Sequence, residues 1–268
     1  MSPRPRAPVP EGSASGWREQ ARYLLARTLG RTLLSRTSFP GVALAIALQT
    51  QRSRRPFTVL QIGAQDGRTG DVVYPLLRTE RWRGIVVEPR REKFSELCDT
   101  YRGVAGVECL NVAVMPEAGE REIFYVQDDD GDLPDWAGGL SSFLRETLLK
   151  HEVQIPGLRG RIGVERVKCV TWAEVLERLG TGRLDFLQID VEGLDFELLR
   201  HFPLDQVRPG LVRFEHKHLS SDDRCAALDL LASYGYVTVV EEQDTLGYAR
   251  QWEIGDYLQG RSDGKGGL

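Results

Sequence analysis

Two apolar runs in this chain end in charged residues that could do chemistry together. Residues 184–189 lead into Asp190-Val191-Glu192-Gly193, and residues 211–214 lead into Glu215-His216-Lys217-His218. Carboxylates brought close together raise each other's pKa unless a cation or a donor stands between them. Asp190, Glu215 and His216 offer oxygen and nitrogen ligands. With open positions left over, such a set suits Mg²⁺ or another weakly held divalent ion. Histidine also has the native pKa of a general base near neutrality. His216 is therefore the candidate base, with Asp190 or Glu192 next in line. One nitrogen of His216 cannot be both ligand and free base, so the two expectations compete. Each residue also has a plainer use. Asp190 and Glu192 could cap the following helix, Glu215 could pair with Lys217 or an arginine, and either histidine could be a bonded loop residue.

A second group lies upstream. The run Val59-Leu60-Gln61-Ile62 rises into Gly63-Ala64-Gln65-Asp66-Gly67. Gly63 allows a sharp turn, or lets a ligand approach without a Cβ in the way. The next apolar run, 84–87, ends in Glu88. In nucleoside-binding α/β folds an acid at the end of the second strand takes the two ribose hydroxyls, because a carboxylate accepts two hydrogen bonds side by side. The plainer readings are an ordinary βα turn and an acid that opens the next helix. Together the two runs favour a nucleoside cofactor.

These residues must be positioned by alternating strands and helices. The expected strands are 57–62, 84–88, 107–111, 184–189 and 211–214. The expected helices are 69–79, 91–101, 172–179, 194–202 and 222–233. Thr171 and Glu174 have capping-box spacing. Strands 237–240 and 247–252 close the sheet as an antiparallel pair. Alternation over 121–126 suggests a strand beside the third one. Residues 141–151 read as a helical lid, and 152–166 carry no clear pattern. Alternation of this kind means a parallel sheet, and such sheets bind ligands beyond the carboxyl ends of their strands.

At 268 residues, the chain is long enough for one sizeable core with extensions. Net charge is −4, but residues 1–55 hold ten arginines against Glu11 and Glu19, about +8, which leaves about −12 for the rest. The organisation expected is a disordered arm over 1–16, a basic helical extension over 17–55, the α/β domain over 56–258 and a loose tail over 259–268. The extension's helices could build a homo-oligomer contact. An acidic core argues against nucleic acid as the partner. Four cysteines without a C-x-x-C pair fit a reducing cytoplasm and argue against a zinc site. No apolar run approaches the length of a membrane span, and no segment near the start reads as a secretory signal. The aspartates of loop 127–136 read as a solvated acidic loop rather than a calcium site.

From about residue 59 to residue 248 the chain resembles the FkbM family of S-adenosylmethionine-dependent methyltransferases. The residues that carry the resemblance are Ile62-Gly63-Ala64-Gln65-Asp66-Gly67, Gly84-Ile85-Val86-Val87-Glu88-Pro89, Asn111-Val112-Ala113-Val114 and above all Leu187-Gln188-Ile189-Asp190-Val191-Glu192-Gly193; the run 214–219 is also similar. Gln61 stands where the family often has an acid, and Gln65 replaces the middle glycine of its fuller loop. The resemblance implies a class I methyltransferase fold: a Rossmann-like, mostly parallel seven-stranded sheet with helices on both faces and the last strand antiparallel. It implies S-adenosylmethionine in the loop of Gly63, Ala64, Gln65, Asp66 and Gly67, its ribose on Glu88, and its adenine near Asn111 and Ala113. Asp190 joins these expected cofactor contacts. The chemistry implied is methyl transfer to a hydroxyl of a sugar or secondary-metabolite intermediate, with divalent-metal assistance as an option. A nucleic-acid methyltransferase using the basic arm is the runner-up. A nicotinamide dehydrogenase is a weaker third, because the loop lacks Gly-x-Gly-x-x-Gly spacing.

Overall fold

The computed structural model describes residues 56–249, apart from 79–81, 129–130, 135, 181–182 and 241–242. The arm over 1–16, the extension over 17–55, the tail over 259–268 and residues 250–252 of the last expected strand lie outside the described residues.

The chain builds two sheets. The larger has seven strands: β1 (Phe57–Ile62), β2 (Trp82–Val87), β3 (Val107–Leu110), β8 (Phe186–Ile189), β9 (Leu211–Glu215), β10 (Tyr236–Val240) and β11 (Asp244–Ala249), in the spatial order β10-β11-β9-β8-β1-β2-β3. All pairings from β9 to β3 are parallel, and β11 runs antiparallel to both of its neighbours. All six residues of β1 are buried, as expected for a central strand covered on both faces. The mostly parallel sheet and its antiparallel last strand agree with expectation.

Helices follow the strands. They are α1 (Tyr74–Leu77), α2 (Arg91–Thr100), α3 (Arg145–Leu149), α4 (Trp172–Leu179), α5 (Asp195–His201) and α6 (Ser221–Ser233). The capping box at Thr171 and Glu174 forms in both directions, and Ser220 caps α6. Trp172 donates its indole N–H to the Leu198 carbonyl and meets Phe202 edge-on, which ties α4 to α5 beside the end of β8.

Three expectations are corrected. The helix expected over 69–79 shrinks to the four residues of α1. Asp66 accepts from the amides of Arg68 and Thr69, and Asp71 accepts from those of Val73 and Tyr74. These side-chain turns occupy the amides that a helix start would use. Strand β5 (Gly119–Val126) does not join β3. It pairs antiparallel with β7 (Ile162–Val170) over eight residues in a second sheet of order β4-β7-β5-β6, where β4 is Ala113–Val114 and β6 is Ser141–Ser142. The segment without a pattern therefore supplies half of a nine-residue strand. Its alternation is weak because only Val167, Cys169 and Val170 are fully buried. Finally, the expected lid helix is divided between β6 and the short α3.

Candidate functional site

A cleft of about 520 Å³, open to solvent, lies at the carboxyl ends of β1, β2 and β8. Gly63, Gln65 and Glu88 line one end, Asp190 and Glu192 line the other, and Val112, Ala113, Met115, Ile123 and Phe143 supply apolar wall.

The glycine end is tied together by backbone amides. Gly63 has φ +80°, and a Cβ there would stand 1.7 Å from the Asp190 carbonyl oxygen. The strands converge so closely that only glycine fits. The amides of Gly63 and Ala64 both donate to the Val87 carbonyl, which locks the loop to β2. Glu88 is buried, and its carboxylate accepts from the amides of Gln65 and Arg90, each at 2.9 Å. Burial pushes its pKa up to about 7, against the pull of those two amides. Asn111 donates to the carbonyls of Glu88 and Pro89 and so shapes the turn. The other expected contacts of this loop face elsewhere. Asp66 ties its own turn, Ala64 is buried, and a Cβ on Gly67 would meet Leu97 and Tyr101 of the packed interior. Of the expected cofactor residues, Gly63, Gln65, Glu88, Ala113 and Asp190 line the cleft.

The acid end is different. After β8 the chain turns through Glu192 (φ +52°) and Gly193 (φ +108°). Asp195 holds this turn by accepting from the amides of Val191 and Gly193. Ser142 adds a 2.8 Å bond to the Glu192 carbonyl. Asp195 thus ties the turn, no side chain caps α5, and the side chains of Asp190 and Glu192 line the cleft. Ligand oxygens of Asp190, Glu192 and Glu215 lie within 4.8 Å of one another. Burial, then the neighbouring carboxylates, holds Asp190 and Glu215 well above the usual carboxylate range.

His216 is not brought into this group. Side chains alternate along a strand, so Glu215 shares the face of Arg213 while His216 shares that of Phe214. His216 is buried and its Nδ1 lies 3.0 Å from the Thr245 hydroxyl. Burial, then the Arg224 charge, lowers its pKa. The structure therefore does not bring the expected set of Asp190, Glu215 and His216 together: His218, not His216, lies beside the acids. The turn after β9 carries His218 back over the acids, with Nε2 2.9 Å from Glu192 Oε2 and 3.9 Å from Glu215 Oε2.

His151, just past α3, was missed by sequence reasoning. Its ring is 5.5 Å from that of His218, and its nitrogen lies within 4.8 Å of the ligand atoms of Glu192 and His218. The available signal was scarcity, since the chain has only four histidines and three fall at 151, 216 and 218.

Comparison with curated proteins gave no match. Among solved structures, the chain is similar to an FkbM methyltransferase from Methylobacillus flagellatus. Identity is 12%, over 85% of this chain and 59% of that one, at a TM-score of 0.44. It is also similar to a precorrin-6y C5,15-methyltransferase from Geobacter metallireducens, at 13% identity over 76% and 86% of the two chains and a TM-score of 0.38. A third is a SAM-dependent methyltransferase from Aquifex aeolicus, at 12% identity over 76% and 88% and a TM-score of 0.35. A family model described as the methyltransferase FkbM domain matches residues 61–238, well over half of the sequence, and the chain thus belongs to the FkbM methyltransferase family.

Proposed function

We propose that this protein transfers the methyl group of S-adenosylmethionine to a hydroxyl of a small molecule, a sugar or a secondary-metabolite intermediate. One observation carries the reading: the glycine turn with its acid, and a separate cluster of acids, face each other across a single cleft. The donor set at the glycine end fits the cofactor. Each oxygen of Glu88 accepts one amide and keeps a second lone pair for a ribose hydroxyl. Val112 and Ala113 offer an apolar wall for a base.

When bound, the cofactor supplies an electrophilic methyl on a sulfonium sulfur. The residues of this chain do the rest. Gly63 lets the strand end approach the donor closely, and the walls exclude water. The left-handed turn at Glu192 presents Asp190 and Glu192 to the acceptor. Asp190, whose side chain lines the cleft beside Glu192, is the proton acceptor. With the cofactor held there, Asp190 would take the proton that the acceptor hydroxyl gives up as its oxygen accepts the methyl group. His216 faces Thr245 and is not in this step.

The test is transfer of label from methyl-tritiated S-adenosylmethionine into pools of hydroxylated small molecules. Label in alkali-stable ethers is the expected result. Label in polynucleotide or in alkali-labile esters, or no transfer into any pool, would overturn the reading.

A further inference from the structure

The acid end holds more than a base requires. Four buried polar atoms converge there without a hydrogen-bond partner: His151 Nε2, His218 Nε2, Glu192 Oε2 and Glu215 Oε2. A buried polar atom left unpaired costs about 1–3 kcal/mol, so four in one place call for something that satisfies them together. His218 Nε2 and Glu192 Oε2 are 2.9 Å apart, but the geometry is not that of a hydrogen bond. Two ligands on one ion at about 2.1 Å, set roughly at right angles, stand about 3 Å from each other.

The orientation of His151 is the second observation. Its Nδ1 lies 3.1 Å from Gln154 Oε1, an atom that only accepts. A neutral ring that donates from Nδ1 to this oxygen turns the lone pair of Nε2 to the cluster. Holding a ligand imidazole by its far nitrogen in this way is how metal sites fix the tautomer. His151 is 5% exposed, and its Nε2 is the nitrogen left for the cluster. The segment that brings it is anchored to the same turn: Ser142 bonds the Glu192 carbonyl, and Thr147 Oγ1 is 3.1 Å from where a Gly193 Cβ would be.

We infer that His151, Glu192 and His218 form a binding site for a first-row transition-metal dication. Two imidazoles with a carboxylate are borderline donors that favour Zn²⁺, Co²⁺ or Fe²⁺ over Mg²⁺, which takes oxygen ligands. The inference rests on the proposed methyl transfer only for its purpose. An ion here stands beside Asp190 at the acceptor end of the cleft, where it would orient the hydroxyl and lower its pKa. Binding of the ion does not depend on that reading.

The experiment is calorimetric titration of the untagged, metal-stripped full chain with Zn²⁺ and separately with Mg²⁺. S-adenosylhomocysteine binding is measured on the same samples. One equivalent of Zn²⁺ should bind at least 100-fold tighter than Mg²⁺. His151→Ala and His218→Ala should each weaken Zn²⁺ at least 10-fold, while His201→Ala, which removes an exposed histidine on α5, should not. If a variant fails to fold, Co²⁺ added to the unaltered chain decides, through the visible absorption of a nitrogen-ligated site at one equivalent. Zn²⁺ binding no tighter than Mg²⁺, equal binding by the His151 and His218 variants, or a Co²⁺ spectrum matching that of the aqueous ion would overturn the site. Loss of metal binding with S-adenosylhomocysteine binding intact sinks this inference alone. The converse sinks the cofactor assignment alone.

Discussion

The two ends of the cleft are built on opposite principles. At the glycine end Glu88 and the loop backbone are already paired. Glu88 is held by two loop amides, and the loop is tied to β2 through the Val87 carbonyl. At the acid end, two carboxylate oxygens and two imidazole nitrogens are buried without hydrogen-bond partners. The first end is held in shape by its own hydrogen bonds. The second is incomplete without a proton, a cation or an acceptor. Both have one structural device in common. The non-glycine residues with left-handed backbone, among those described, are Gln65 and Glu192, one at each end. Such conformations cost about 1–3 kcal/mol each and persist where the surroundings impose them.

Breaking the acid end should have the largest effect. Asp190→Asn keeps the shape and removes the base, so methyl transfer should fall by roughly 10²–10⁴-fold with the melting curve nearly unchanged. Steady-state rates with labelled donor check it, and an active variant would move the base elsewhere. Breaking the glycine end should act on the fold. Gly63→Ala would drive a Cβ into the Asp190 carbonyl and impose φ +80° on an alanine. A loss of about 2–4 kcal/mol in denaturant unfolding is expected.

Glu88 sharpens the contrast through pH. Its pKa is about 7 in the folded chain against 4.5 for the free group. The folded state then holds the proton more tightly, so this contribution is fully present below about pH 4.5 and is lost as pH rises to about 7. The lost stabilisation is of order 3 kcal/mol. The difference in unfolding free energy between the unaltered chain and Glu88→Gln, measured from about pH 4 to 7.5, should change by about that amount across the range. Parallel curves would mean Glu88 titrates normally. The smallest effect is expected at His216. His216→Asn should change methyl transfer by no more than about threefold and cost about 1 kcal/mol of stability for the lost Thr245 contact, whereas His218→Ala should lower the rate much more.

The glycine end of the cleft was legible from sequence because its signals are local. A buried run, a glycine at its end and an acid at the end of the next run are all set by strand length and backbone geometry. The acid half was legible only in part. Asp190, Glu192 and Glu215 followed from their places at strand ends. The histidine did not, because strand alternation sends His216 to the far face and a turn returns His218. His151 arrives from a segment some 40 residues before Glu192, and no spacing rule links the two. The second sheet was missed for a similar reason: β7 begins in a stretch with few buried apolar residues and takes its register from β5.

The division of labour across the cleft is the central claim, and S-adenosylhomocysteine affinity in two variants tests it most directly. Glu88→Ala should weaken calorimetric binding by at least 30-fold, while Asp190→Asn should leave it within threefold of the unaltered chain. The reverse pattern, or equal losses in both, would contradict the account.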